Sequence, residues 1–175
     1  MTTRTLTLAA GCFWCLDAVY RRTRGVTAVE SGYTGGEVPD PTYRQVCTGT
    51  TGHAEAVRVT FDPEVVPEAV ILGMFFTGHD PTSLNRQGHD VGTQYRSAMF
   101  YADEDQKEHF ARAIRDAQQH FDAPLVTTLE PMSTWYPAEP EHQDFYTRNP
   151  LSGYCHVIID PKVAAARTAY ADWMQ

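Results

Sequence analysis

The stretch "TLTLAAGCFWCLDAVYRR" constrains the fold more than any other part of the chain. Leu6, Leu8 and Ala10 alternate with Thr5, Thr7 and Ala9, which is the period of a half-buried strand. The alternation stops at Gly11, and from Cys12 onward Phe13, Leu16, Val19 and Tyr20 recur at helical spacing. Arg21, Arg22 and Arg24 crowd the end of that segment, where cations complement the helix dipole, and Gly25 is expected to cap it. The chain therefore opens as strand, glycine turn and helix, with Cys12 at or beside the helix start.

The same reading carried along the chain predicts strands in "VTAVESGYTGG", "HAEAVRVTF", "YRSAMFYA" and "LVTTLEPM", and a possible short one in "HVIID". Helices are predicted in "PEAVILGMFFTGHD", with Pro67 at its start, and after Asp103, where Asp103 and Gln106 form a capping pair. The apolar face of that second helix is Phe110, Ala113, Ile114, Ala117 and Phe121, and the C-terminus has helical composition. "EVPDPTYRQVCTGTTG" and "DPTSLNRQGHDVGTQ" read as long polar loops, and such loops carry sites more often than cores. The order strand, helix, strand, strand, helix, strand predicts one α+β domain over residues 1–175, with helices packed on a mainly antiparallel sheet.

Charge limits the partners. With 22 acidic against 14 basic side chains the net charge is −8, which argues against nucleic acid and anionic membranes. The N-terminus lacks the apolar core of a signal peptide and no run approaches membrane-spanning length, so a cytoplasmic setting is expected. Four cysteines in that setting point to metal binding or redox catalysis rather than a structural disulfide framework.

Two residues stand out chemically. A cysteine at a helix N-terminus sits where unpaired amides and the dipole favour a thiolate, so Cys12 is a candidate nucleophile of raised thiolate content. Its alternative is a small buried hydrophobe. Glu55 shares a strand face with Val57, Val59 and Phe61, where desolvation would raise its pKa and let it donate a proton near pH 7. Its alternative is a strand-end carboxylate that reaches solvent. A metal site is weakly supported: the histidines form no HExxH pattern, and Cys12-x-x-Cys15 has no second pair.

The motifs "GCFWC", "GYTGG", "PTYRQVCTGTTGHAEAV", "HDPTSLNRQGHDVGTQYRS" and "RNPLSGYC" resemble, in the same order, those of the A-type methionine sulfoxide reductases. The resemblance spans residues 11–155. It implies reduction of methionine (S)-sulfoxide, free or in proteins, as a repair of oxidised protein. It also implies a two-layer sandwich with a ferredoxin-like core, no metal or organic cofactor, and thioredoxin as the electron donor. Carried over by motif, Cys12 is the nucleophile, Phe13 and Trp14 form the pocket for the substrate methyl group, and Glu55 is the proton donor. Tyr43 and Tyr95 donate hydrogen bonds to the sulfoxide oxygen, and Asp90 orients substrate or water. Two positions depart from the common family pattern: Cys15, where glycine is frequent, and His89, where asparagine is frequent.

The resolving thiol, which would condense with the Cys12 sulfenic acid, is expected to be Cys155 on a mobile C-terminal segment. Cys15, one helical turn from Cys12, is the alternative, and Cys47 is expected to have no resolving role. A general dithiol oxidoreductase built on Cys12 and Cys15 is the competing function. The protein is expected to act as a monomer.

Overall fold

The computed structural model describes residues 2–175. Strand β1 (Arg4–Ala10) leads through Gly11 into helix α1 (Phe13–Arg21), as the opening alternation predicts. Strands β2 (Val26–Thr34) and β3 (Ala54–Phe61) follow, with a short helix α2 (Tyr43–Cys47) between them. Helix α3 (Glu68–Thr77) begins after Pro67. A hairpin of two short strands, β4 (Arg86–Gln87) and β5 (Asp90–Val91), precedes strand β6 (Ser97–Tyr101). Helix α4 (Glu104–Gln118), strands β7 (Thr128–Pro131) and β8 (Tyr136–Pro137), helix α5 (Phe145–Arg148) and helix α6 (Asp160–Ala169) complete the chain.

The six-stranded sheet runs in the order β7-β6-β1-β3-β2-β8. Its central four strands, β6-β1-β3-β2, pair antiparallel, and with α1 and α3 they form the βαββαβ order of a ferredoxin-like core. Among the described residues, only β6 and β7 pair in parallel. One sheet face carries Leu6, Leu8, Val57, Val59, Phe61 and Met99 against α1, α3 and α4, which supply Phe13, Leu16, Ile71, Phe75 and Phe110. The other face is lined by small residues, Ala9, Ala54, Ala56 and Ala98, with Phe100, under Met132 and Trp135. Alternation along β1 and β3 thus feeds two separate cores. The ladder brings the two chemical ends together: Leu8 pairs with Val57, two residues before the end of β1 at Ala10 and two residues after Glu55 on β3.

Four local expectations are corrected. α1 ends at Arg21 with Arg22 as its cap, not at Gly25. The chain leaves the helix there because Thr23 bridges Met174 and the Arg24 N–H reaches the Trp173 carbonyl at 2.7 Å. Gly25, at φ +86°, makes the later turn into β2. The first polar loop contains α2, too short to show an apolar period but started by a capping box between Thr42 and Gln45. The second loop holds the β4–β5 hairpin, which places Asp90. "HVIID" is not a strand: Cys155–Ile159 is a wide, π-type helical turn that runs into α6. Its β-branched run suggests extension, but Cys155, Ile159 and Val163 recur every fourth residue and all face the core.

Asp103 and Gln106 do cap α4. The Asp103 carboxylate accepts the Gln106 N–H at 2.8 Å, and the Gln106 side chain accepts the N–H of Ala102. Among the described residues, no helix is long and apolar enough to cross a membrane.

Candidate active site

Cys12 is the N-cap residue of α1, extended at φ −60° and ψ 123°, and its side chain makes no hydrogen bond to the helix amides. The first of those amides, Phe13 N–H, is instead donated to Glu55 Oε1 at 3.1 Å across from β3. Glu55 is 1% exposed, and its other oxygen, Oε2, has no hydrogen-bond partner. Burial dominates its ionisation and raises its pKa to about 8; the Phe13 amide opposes this, while Asp90 and Cys15 add to it. Glu55 therefore carries its proton at neutral pH, and its unpaired oxygen is a ready hydrogen-bonding group.

The expectation of an activated Cys12 thiolate is corrected. Burial pushes the thiol well above its usual range, and the neighbouring Cys15 thiol and the Glu55 charge push it further. Dehydration outweighs the helix start because the leading amide is already engaged by Glu55. The nearby Tyr154 hydroxyl works in the opposite direction. Cys15 is also buried and lies beside Cys12; the thiol–thiol contact is the main influence lowering Cys15, so the pair favours one shared negative charge over two.

The tyrosines gather around this pair. Burial raises the Tyr43 and Tyr95 hydroxyls, and both also feel Glu55, Cys47 and Cys12. They remain neutral donors. Cys47 is exposed at the rim beside both rings. Asp90, set on β5, accepts a hydrogen bond from the Tyr154 hydroxyl at 3.1 Å. The structure thus collects Cys12, Cys15, Glu55, Tyr43, Tyr95 and Asp90 in one place, from α1, β3, α2, the turn Thr93–Tyr95 and the hairpin.

Phe13 and Trp14 face different neighbours. Phe13 is fully buried, 5.7 Å between ring centroids from Tyr33 and 6.2 Å from Tyr43. Trp14 is only partly buried, and Phe145 stacks on it at 3.7 Å and 5°. The Tyr154 ring meets Trp14 edge-on at 5.4 Å, and the Trp14 indole N–H is donated to His142 Nδ1 at 3.2 Å. Sequence reasoning missed Tyr154, Phe145 and His142. The signal was the aromatic run from Ser133 to Tyr154, which has no period and which only tertiary contact makes meaningful.

Cys155 is 1% exposed, held in the core with Ile159 and Val163, rather than on an open, mobile tail. The turn that carries it packs directly against α1, the helix that starts at Cys12. No disulfide links the four cysteines, which are all free. Glu139, Glu141 and His142 lie close enough to share a cation. Glu139 already accepts from the Tyr33 hydroxyl and the Tyr43 amide, and His142 from Trp14, so this set is engaged by the protein itself.

Residues 4–173 match the family model described as peptide methionine sulfoxide reductase. A protein of Paenarthrobacter aurescens (strain TC1), named peptide methionine sulfoxide reductase MsrA, is 57% identical over 171 residues, covering 98% of both chains. The crystal structure of Mxr1 from Saccharomyces cerevisiae in reduced form superposes with a TM-score of 0.82 at 34% identity, covering 87% of this chain and 89% of that one. Mxr1 in complex with Trx2 shares the fold at 23% identity and a TM-score of 0.59, over 82% and 84% of the two chains. The chain belongs to the peptide methionine sulfoxide reductase family.

Proposed function

We propose that this protein reduces methionine (S)-sulfoxide, free or within proteins, to methionine, and that thioredoxin regenerates it. Its relatives carry that reductase name over nearly the full chain, and Mxr1 is known in complex with Trx2. The observation that carries the mechanism is the buried Glu55, with an unpaired oxygen, bonded to the first amide of the helix that begins beside Cys12.

The chemistry follows from that pair. A sulfoxide sulfur is a poor electrophile until its oxygen receives a proton. Glu55 donates that proton, and the Tyr43 and Tyr95 hydroxyls donate hydrogen bonds to the same oxygen, a preorganised electrostatic effect. Cys12 gives up its proton, which restores the Glu55 carboxyl, and its sulfur bonds to the substrate sulfur. The S–O bond and that new S–S bond then break as the hydroxyl passes to Cys12 Sγ, so methionine departs and Cys12 is left as a sulfenic acid. Asp90, held by Tyr154, orients the polar side of the substrate.

A second thiol then condenses with the sulfenic acid, releasing water and forming a disulfide, which a dithiol partner opens by exchange. Cys155 is the proposed resolving thiol, supported by the packing of its turn against α1. Cys15 is the alternative, supported by its contact with Cys12. No metal or organic cofactor takes part in this scheme. A cytoplasmic setting is part of this proposal; among the described residues no helix is long and apolar enough to cross a membrane.

The experiment is turnover of separated methionine sulfoxide epimers with thioredoxin, thioredoxin reductase and NADPH. Methionine formed from the S epimer, and not from the R epimer, is the expected result. A simple dithiol oxidoreductase would instead reduce disulfides and leave both epimers untouched.

A further inference from the structure

Gln94 precedes Tyr95 on the turn Thr93–Tyr95, yet its side chain is turned inward and only 3% exposed. Its Nε2 donates to the backbone carbonyl of Cys47 at 3.2 Å. Cys47 is the last residue of α2, the helix that begins at Tyr43. Among the described residues this is the one hydrogen bond from that turn to the α2 backbone. The mechanism above gives Gln94 no task.

The partner fixes the orientation of the amide. A carbonyl can only accept, so the nitrogen of Gln94 faces Cys47 and its oxygen faces away. That oxygen is buried without a hydrogen-bond partner and lies against Gly92. Gly92 sits at φ +143°, and a Cβ added there would collide with it. A buried, unpaired oxygen weakens the fold, so the amide is held at a cost for its single bond to the end of α2.

The two segments joined by that bond carry the oxygen-side donors. Their rings meet at one rim, where the Cys47 thiol is within hydrogen-bonding reach of both the Tyr43 and Tyr95 hydroxyls. Glu139 holds the start of α2, its carboxylate accepting the Tyr43 N–H at 2.9 Å, and Gln94 holds the end. Beyond Tyr95, Arg96 donates to the carbonyls of Gly52 at 3.1 Å and Thr93 at 3.0 Å and pairs with Glu130 at 3.0 Å. Arg96 thus ties the turn to the sheet, and Gln94 ties α2 to the turn.

We propose that Gln94 is a positioning residue that holds the Tyr43 and Tyr95 hydroxyls at one fixed separation, so that both donate to the sulfoxide oxygen together. This rests on the assignment of the two tyrosines above. As the S–O bond polarises under attack, donors already in place stabilise the oxygen without reorganising. Such donors act more strongly on the transition state than on bound substrate. Loosening the link between α2 and the turn therefore lowers kcat more than it raises KM.

The test compares Gln94→Met, which keeps the length but cannot donate, with Gln94→Glu, whose carboxyl donates only while protonated. In Gln94→Met, kcat for the S epimer is expected to fall about 10-fold, with KM changed less than about 2-fold. Gln94→Glu is expected to stay near wild type at about pH 6, and its rate relative to wild type should drop toward that of Gln94→Met as the buried carboxyl ionises. In a Tyr95→Phe background, Gln94→Met should cost less than about 2-fold more, because the two act through one hydroxyl. Faster hydrogen exchange of residues 43–48 and 93–96 in Gln94→Met is the readout independent of turnover. Undiminished kcat in Gln94→Met, equal loss with and without the Tyr95 hydroxyl, a loss in Gln94→Glu that ignores pH, or unchanged exchange overturns the proposal. If wild type turned over neither epimer, the function itself would be wrong, while the exchange would still decide whether Gln94 joins the two segments. Thermal unfolding identifies a variant that fails to fold, and Gln94→Glu carries the test if Gln94→Met does.

Discussion

Phe13 donates its backbone N–H to Glu55 Oε1 at 3.1 Å, so the first amide of the helix that begins beside Cys12 belongs to the acid rather than to the thiol. The consequence for charge is opposite to what a helix start alone suggests. The carboxyl is the better placed of the two to benefit from the helix dipole, yet burial still holds it protonated. Both reacting groups therefore rest with their protons on, in a site that excludes water from either.

Glu55→Gln keeps the shape and one hydrogen-bond acceptor but cannot deliver a proton. Its rate of methionine formation is expected to fall by roughly 10²- to 10⁴-fold, the usual range for a general acid. Wild-type activity should decline as pH rises through about 8, where Glu55 loses its proton, and that limb should be absent from the residual activity of the variant. Steady-state rates from pH 6 to 10 give the comparison. Undiminished turnover in Glu55→Gln would remove the residue from the mechanism.

The same pKa bears on stability. The folded carboxyl keeps its proton up to about pH 8, whereas an unperturbed one releases it near 4.5. Folding therefore takes up a proton between those values, and this residue's contribution to stability falls as pH rises across that window. Glu55→Gln lacks the penalty. Its melting temperature relative to wild type should increase from pH 5 to about pH 8 and level off above that, as measured by thermal denaturation.

Tyr154 offers a test of how the Cys12 thiol is ionised. Its single hydroxyl proton, donated to Asp90 at rest, can turn to the Cys12 sulfur when that thiol ionises and so lower the thiol against burial. Removing it in Tyr154→Phe should raise the midpoint of iodoacetamide alkylation at Cys12 by roughly one pH unit, given the strength of a hydrogen bond to a charged group. The rate–pH profile of alkylation, with the modified peptide identified by mass, reads this directly.

Cys155→Ser is expected to form one methionine per chain and then stop, because the sulfenic acid finds no second thiol and thioredoxin has no disulfide to open. Cys15→Ser should cycle. The reverse pattern would assign the resolving role to Cys15. Because the Cys155 thiol is buried in this reduced state, disulfide formation should be accompanied by movement of the turn Cys155–Ile159. Faster hydrogen exchange in that segment after one turnover would report it.

Asp17 tests the support beneath the site. It is 1% exposed, bonded to Arg21 at 2.5 Å, to the Ser31 hydroxyl at 3.0 Å and to the Asp144 amide. Asp17→Ala strands all three donors and should cost about 2–4 kcal/mol in urea denaturation.

Much of this arrangement was legible because it is periodic. Leu6, Leu8 and Ala10 gave β1, the spacing from Phe13 to Tyr20 gave α1, and the apolar company of Glu55 on β3 foretold its raised pKa. What escaped was set by contacts distant in sequence. α2 is one turn long, and only its capping box marks it. Ile158 and Ile159 favour extension locally, but the spacing from Cys155 to Val163 decides for helix. The ionisation of Cys12 depends on burial and on a carboxylate 43 residues away, which no local rule supplies. His142, Phe145 and Tyr154 were hidden for the same reason, since their partner Trp14 lies near the other end of the chain.

The register of β1 with β3 has a further consequence. Leu8 pairs with Val57, Glu55 lies two residues from Val57 on β3, and Cys12 follows β1 after the Gly11 turn, so the approach of nucleophile and acid depends on the alignment of β1 with β3. Sequence drift in the outer helices and loops can remodel which substrates are admitted and how electrons arrive. The reacting pair will keep its gauge as long as the two central strands keep their alignment, and a one-residue slip between them would turn Glu55 to the opposite face and abolish the chemistry at a stroke.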